Sequence, residues 1–233
     1  MTQAATIGAE LAPKVRTLVL GGTAVILHGL NRFTKDLDLW TDPNPTAEAW
    51  AAPIEAILKL HPELSALYLD DFTQQWEKVA PGQIALAAAN GRIVRLIGCD
   101  RPIDLFYQPN EVERDEFNQF WNRAIPLTDG TRLLDPIDLI ITKQLTDRPH
   151  DQADINFLQA KIETELCRKL PHESYPYAIA QFERFRSANT AFSATSNPDP
   201  KVRELGLSVL RNLAAEGDPF ASEHLDAIRQ QSV

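Results

Sequence analysis

The chain has 233 residues, 44% of them hydrophobic, and a formal charge of −9, enough to bury a real core in one domain plus an appendage or in two small domains. The acidic balance argues against broad nonspecific attraction to a nucleic-acid backbone, because phosphate contacts need surplus Lys and Arg. No apolar run approaches the roughly 18 residues of a membrane span, Met1-Thr-Gln-Ala-Ala-Thr lacks a basic start and apolar stretch, and Cys99 and Cys167 lack disulfide-framework or metal-ligand spacing; a soluble, cytoplasmic protein with reduced cysteines and no membrane partner is expected.

In chain order, Thr17 to Leu20 is a short β-prone run. Gly21 and Gly22 follow, and Thr23 to Leu30 has the character of the first turns of a helix that begins at the glycines. Asp36 to Thr41 alternates acidic and apolar residues, which puts Asp36, Asp38 and Trp40 on one strand face and Leu37 and Leu39 on the other. Pro43 and Pro45 end that strand, and residues 45 to 60 carry apolar positions at helical spacing up to His61-Pro62. The middle of the chain predicts strands over Ile84 to Ala88, Ile93 to Ile97 and Ile103 to Tyr107, with Asn90-Gly91 as a hairpin turn between the first two. Glu111 to Arg123 is expected to be helical, with Phe117, Phe120 and Trp121 on a buried stripe. Arg132 to Leu134 predicts a short strand, Asp135-Pro136 opens a helix to about Leu145, and Pro149 opens another to about Leu170. Beyond Pro171, a helix over Tyr175 to Ser187, a Ser/Asn/Pro linker over Ser193 to Pro200, and two amphipathic helices over Lys201 to Ala215 and Pro219 to Gln230 are expected.

Two segments carry chemistry. Backbone N–H groups at a glycine turn that opens a helix point outward unpartnered, and the helix dipole adds positive potential there. Gly21 and Gly22 allow close approach of phosphate oxygens, and the Thr23 hydroxyl offers a further bond. After thirteen intervening residues come Asp36 and Asp38, carboxylates on one strand face whose hard oxygens, together with nucleotide phosphates, suit magnesium. Residues 1 to 160 carry 14 basic and 22 acidic side chains and residues 161 to 233 carry 9 and 10, so the acidity lies in the part holding these motifs, where it favours cations. No Ser-His-Asp order, Cys-His cluster or Walker-type Gly-x-x-x-x-Gly-Lys supports a hydrolase, zinc or P-loop reading.

The string Gly21-Gly-Thr-Ala24, His28, Arg32, Asp36-Leu-Asp38 resembles the signature of the nucleotidyltransferase superfamily that includes DNA polymerase β, closest to bacterial nucleotidyltransferases of the AbiEii toxin type and minimal uncharacterised relatives. The likeness covers residues 17 to 41 closely and 100 to 160 more loosely. It implies an α/β (α+β) nucleotidyltransferase fold: a short mixed sheet bearing the acids at one edge, helices packed on it, a catalytic domain over residues 1–170 and a helical appendage over 171–233. It implies transfer of a nucleoside monophosphate from a nucleoside triphosphate to an RNA, protein or small-molecule hydroxyl, with two Mg2+ ions held by Asp36, Asp38 and a third carboxylate. Asp104, an acid in an apolar strand, is the preferred third carboxylate; Asp100, beside Arg101, is the competitor. By the same likeness Gly21, Gly22, Thr23, Arg32 and Lys143 would hold the nucleotide, and Arg148, Asp151 and Asp154 match a further motif, with a solvated helix face and capping ion pair as the plain alternative. His150 and Asp154 sharing a metal is a weaker option. His28 and Trp40 are expected to pack, and Lys35 either contacts nucleotide or balances charge. The likeness further implies a cognate toxin or antitoxin as partner. The rival expectation is a non-catalytic partner-binding module or nucleotide sensor on the same fold.

Overall fold

The computed structural model describes residues 2–44, 46–80, 82–109, 112–144 and 148–231. The chain divides into two compact units, Met1–Ile155 and Asn156–Val233. Among the described residues no helix is long and apolar enough to cross a membrane.

The first unit opens with helix α1 (Gln3–Leu11), capped by Thr2, and strand β1 (Thr17–Val19). The glycine turn leads into α2 (Gly21–Leu27) and then β2 (Leu37–Thr41). Helix α3 (Ala47–Leu60) starts at Thr46, whose hydroxyl accepts the Ala49 N–H at 3.2 Å; Pro45, where the sequence places the helix start, lies outside the described residues. Strands β3 (Ser65–Leu69) and β4 (Trp76–Lys78), helix α4 (Ile84–Gly91), and strands β5 (Ile93–Ile97) and β6 (Ile103–Phe106) follow. A 3-10 turn over Arg114–Glu116 leads to α5 (Phe117–Arg123); Glu111, the expected start of this helix, lies outside the described residues. Short strands β7 (Ile125–Pro126) and β8 (Arg132–Leu133) precede α6 (Pro136–Gln144) and α7 (Pro149–Lys169). Leu145, to which α6 was expected to run, is likewise outside the described residues.

The strands form one mixed sheet in the order β4-β3-β5-β6-β2-β1-β8-β7. β2 and β6 pair in parallel and hold the middle of the sheet, so Asp38 and Asp104 sit at its centre and not at the edge expected for them. The register aligns Leu37 with Ile103, Leu39 with Leu105, Val94 with Leu105 and Leu96 with Ile103. These apolar residues share one face because side chains alternate along a strand. All are buried, and α1 lies on this face, with Gly8 brought against the Leu37 and Leu39 side chains. On the opposite face Trp40 packs edge-on against Phe117 and Phe120 of α5, ring centroids 5.0 and 5.4 Å away. Trp40 is therefore core, as expected for it.

The expected strand over Ile84 to Ala88 and its Asn90-Gly91 hairpin turn are corrected by α4. The run Ile-Ala-Leu-Ala-Ala-Ala is rich in the residue that loses least on entering a helix. Its buried positions Ile84, Ala87 and Ala88 stand at helical spacing. Arg92 ends the helix in the left-handed region, φ 48°, its N–H bonded to the Ala88 carbonyl. β5 consequently pairs with β3 and β6, not with a neighbour across Asn90-Gly91.

In the second unit, α7 continues to Lys169 and a 3-10 turn covers Leu170–His172. Helix α8 (Tyr175–Arg184) stops short of the expected Ser187. Ser187 instead caps a further helix, α9 (Ala188–Ala194), its hydroxyl accepting the Thr190 N–H while the Thr190 hydroxyl accepts the Ser187 N–H. The linker expected from Ser193 is thus shortened to the residues just before α10 (Pro200–Ala215), and α11 (Pro219–Gln231) follows. Asn197 fastens this stretch, donating its amide N–H groups to the Leu170 and Glu173 carbonyls.

Candidate active site

At the end of β1 the chain turns sharply at Gly21, φ 61°, and enters α2. A Cβ at Gly21 would lie 1.9 Å from Asp38 Oδ2, and one at Gly22 would lie 2.6 Å from Thr34 Oγ1 and 2.9 Å from the Arg32 guanidinium. Glycine is required at both places, at the first for its backbone as well as its size. The Gly22 N–H donates to Asp38 Oδ2 at 3.3 Å, so the α2 N-terminus already faces a carboxylate. Thr34 donates to Asp36 Oδ1 at 3.1 Å. The Thr23 hydroxyl, expected to meet phosphate, donates to the Asp36 carbonyl and ties α2 to the start of β2.

Asp38 stands directly opposite Asp104 across the β2-β6 pairing. One oxygen from each of Asp36, Asp38 and Asp104 lies within 4.8 Å of the others, close enough to hold one metal ion. Asp104 also faces Arg95 across the β5-β6 pairing, and the guanidinium grips it in a bidentate pair at 2.6 and 2.7 Å. Asp100, the competitor, lies elsewhere: its carboxylate accepts the Ala4 N–H at 2.7 Å and caps α1. Burial, then the charges of Asp36 and Asp104, push the Asp38 carboxyl up to about 7, against the opposing Gly22 N–H and Lys143. A carboxylate held at such a pKa among others is short of positive charge. Three hard oxygen donors at this spacing fit a hard divalent cation.

The glycine turn, Asp36 and Asp38 line a cavity of about 510 Å³, to which Arg32, Lys35, Lys143 and Arg148 also contribute. Lys143, buried, pairs with Asp151 and Asp154, both at 2.8 Å. Arg32 reaches Asp154 at 2.7 Å and Arg148 reaches Asp151 at 2.6 Å. Three cations, Lys143, Arg32 and Arg148, thus contact two buried carboxylates beside the acidic group. The motif residues that sequence spacing brought forward as one set are one cluster in space. Asp154 is engaged by Lys143 and Arg32, and His150 Nε2 is 4.0 Å from Asp151. Among the described residues the sole metal-competent cluster is Asp36, Asp38 and Asp104. His28 is packed, its Nε2 bonded to the Leu134 carbonyl at 2.8 Å.

Residues at or beside the site that were absent from the sequence expectations include Arg95, Thr34, Phe33 and Phe106. Phe33 and Phe106 line the cavity, and Phe33 is 82% exposed at its mouth. Arg95 had a signal available, as the one charged residue in the apolar run Ile93-Val-Arg-Leu-Ile97. An isolated charge in a buried strand calls for a partner, and the isolated acid of the next strand supplies it. No protein-family profile matches the chain, and no curated protein does.

Proposed function

We propose that the protein is a Mg2+-dependent nucleotidyltransferase with a nucleotidyltransferase fold, moving a nucleoside monophosphate from a nucleoside triphosphate to a hydroxyl acceptor. The observation that carries this reading is one cavity lined by a glycine turn at a helix N-terminus, by Asp36 and Asp38, behind which Asp104 completes a carboxylate cluster, and by the cations Arg32, Lys35, Lys143 and Arg148. Asp36, Asp38 and Asp104 would hold magnesium, which would supply positive charge to the triphosphate and to the oxygens that gain charge during transfer. The backbone at Gly21 and Gly22 receives phosphate oxygens. Arg32, Lys35 and Arg148 offer charge to the rest of the chain of phosphates, while Lys143 keeps Asp151 and Asp154 in place beneath them. The acceptor oxygen bonds to the α-phosphorus, the bond from that phosphorus to the bridging oxygen breaks, and pyrophosphate leaves. The hydroxyl proton passes to a site carboxylate. Such a reaction asks the protein chiefly for in-line positioning and charge stabilisation.

The test incubates the full chain with magnesium, each α-labelled nucleoside triphosphate, total RNA and cell lysate, beside an Asp36→Ala/Asp38→Ala variant. Label is expected in an RNA, protein or small-molecule fraction with the native chain alone. Transfer that persists in the variant contradicts the assignment. A nucleotide sensor without turnover is the second reading, favoured by the occupation of Asp104 by Arg95; it requires saturable nucleotide binding with no label transferred. A cognate toxin or antitoxin partner remains part of the proposal, tested by co-purification from the native host.

A further inference from the structure

In the sheet row that crosses β2, β6 and β5, Asp38, Asp104 and Arg95 stand in direct register. They therefore project from the same face. Both oxygens of Asp104 are taken by the Arg95 guanidinium, at 2.6 and 2.7 Å, the planar fork-to-carboxylate geometry that gives the strongest side-chain pairs. Arg95 is held from its other side by Trp76 of β4, with the guanidinium carbon 4.2 Å from the ring centroid. Asp104 is 6% exposed, and the cavity wall is made by Asp36 and Asp38 without it. With Arg95 counted, three carboxylates carry a net charge of −2, which one divalent cation neutralises.

We infer that Arg95 is a built-in counter-cation for the third carboxylate, so that the resting site takes one divalent cation, on Asp36 and Asp38, and a second only when the guanidinium leaves Asp104. This rests on the metal-binding reading above and sets a one-ion resting state against the two ions that the sequence resemblance implies. Arg95 is a positioning residue: it acts through Asp104 and by its charge. The strand pairing keeps it within reach throughout, because its Cα position is fixed opposite Asp104. The Trp76 ring gives the guanidinium a place to remain when the carboxylate is released, since an aromatic face holds a cation without neutralising it. A triphosphate in the cavity would add negative charge beside Asp36 and Asp38 and so raise the demand for a second cation.

The experiment counts Mn2+ bound to the full chain at mildly alkaline pH by electron paramagnetic resonance, in the native protein and in Arg95→Met, Asp104→Asn and Asp36→Asn/Asp38→Asn. The native chain is expected to bind one ion, Arg95→Met two, and the double variant none. Asp104→Asn is expected to bind one ion with affinity within about threefold of native, since Asp104 is not a resting ligand. Two ions on the native chain, or a single ion on Arg95→Met, overturns the inference. So does a loss of about tenfold or more in Asp104→Asn, an arm that decides the matter even where Arg95→Met does not fold. No Mn2+ on the native chain removes the metal reading itself, whereas one ion on both native and Arg95→Met removes the role of Arg95 alone.

Discussion

Gly21 and Asp38 occupy each other's space. The carboxylate lies where a Cβ on Gly21 would go, and the backbone there is left-handed, φ 61°. Gly21→Ala therefore strains the turn and displaces Asp38 at once. An expected cost of ~1–3 kcal/mol, read by thermal or urea unfolding, accompanies loss of Mn2+ binding. The raised Asp38 carboxyl has its own signature. In the folded chain it keeps its proton up to about 7, whereas the unfolded chain releases it near the ordinary value of 3.8. Between those values the native state binds more protons than the unfolded one, so without divalent cations the Asp38 contribution to stability falls as pH rises from about 4 to about 7. Cation affinity runs the other way, strengthening as pH rises through about 7 while the carboxylate forms; Mn2+ titrations across that range, with and without Asp38→Asn, measure it. A flat affinity profile would contradict the assignment of Asp38 as a ligand.

Elements show which acids and bases hold the fold and which serve the cavity. Asp100 caps α1 through the Ala4 N–H, so Asp100→Ala should lower stability by ~1 kcal/mol while leaving Mn2+ affinity as it was. Lys143 of α6 joins the start of α7 through two buried carboxylates. Lys143→Met leaves those acids without their shared cation, and an unfolding loss of ~3–5 kcal/mol is expected, partly recovered by adding Asp154→Asn. Most of the elements around the site were legible in the sequence. Alternation over Asp36 to Thr41, the Gly21-Gly22 turn and the Asp135-Pro136 helix start are local signals, and β2, α2 and α6 follow them. α4 was not legible as a helix, because an Asn-Gly pair between apolar runs imitates a hairpin even where alanines favour helix. The hairpin of β3 and β4 was missed for another reason. β4 is exposed along its whole length and carries Trp-Glu-Lys, so no alternation marks it. Its place comes from pairing with β3, and the site gains from it the Trp76 ring behind Arg95.

Over the whole molecule, the chemistry of the site was more legible than its neutralisation. Asp36 and Asp38 are two residues apart in sequence, and their pairing with a glycine turn shows in spacing alone. Asp104 joins them through the parallel register of β2 and β6, and Arg95 joins Asp104 through the antiparallel register of β5 and β6; long-range register of this kind leaves no mark on a single segment. The negative charge of −9 belongs to the same picture. On the proposed reading, a chain this acidic attracts cations to the Asp36 and Asp38 cavity and leaves phosphate contacts to the local group of Arg32, Lys35 and Arg148. Nucleotide binding should accordingly depend strongly on divalent cation and collapse in EDTA, as calorimetry with and without the chelator would show.

The most direct measurement of the central claim is the anomalous difference density of crystals grown with Mn2+ and a non-hydrolysable nucleoside triphosphate. The expected result is an ion about 2.1 Å from carboxylate oxygens of Asp36 and Asp38, with the triphosphate lying against the Gly21 and Gly22 backbone at the start of α2. A triphosphate bound elsewhere, or a cavity that takes neither ion nor phosphate at saturating concentrations, would contradict it.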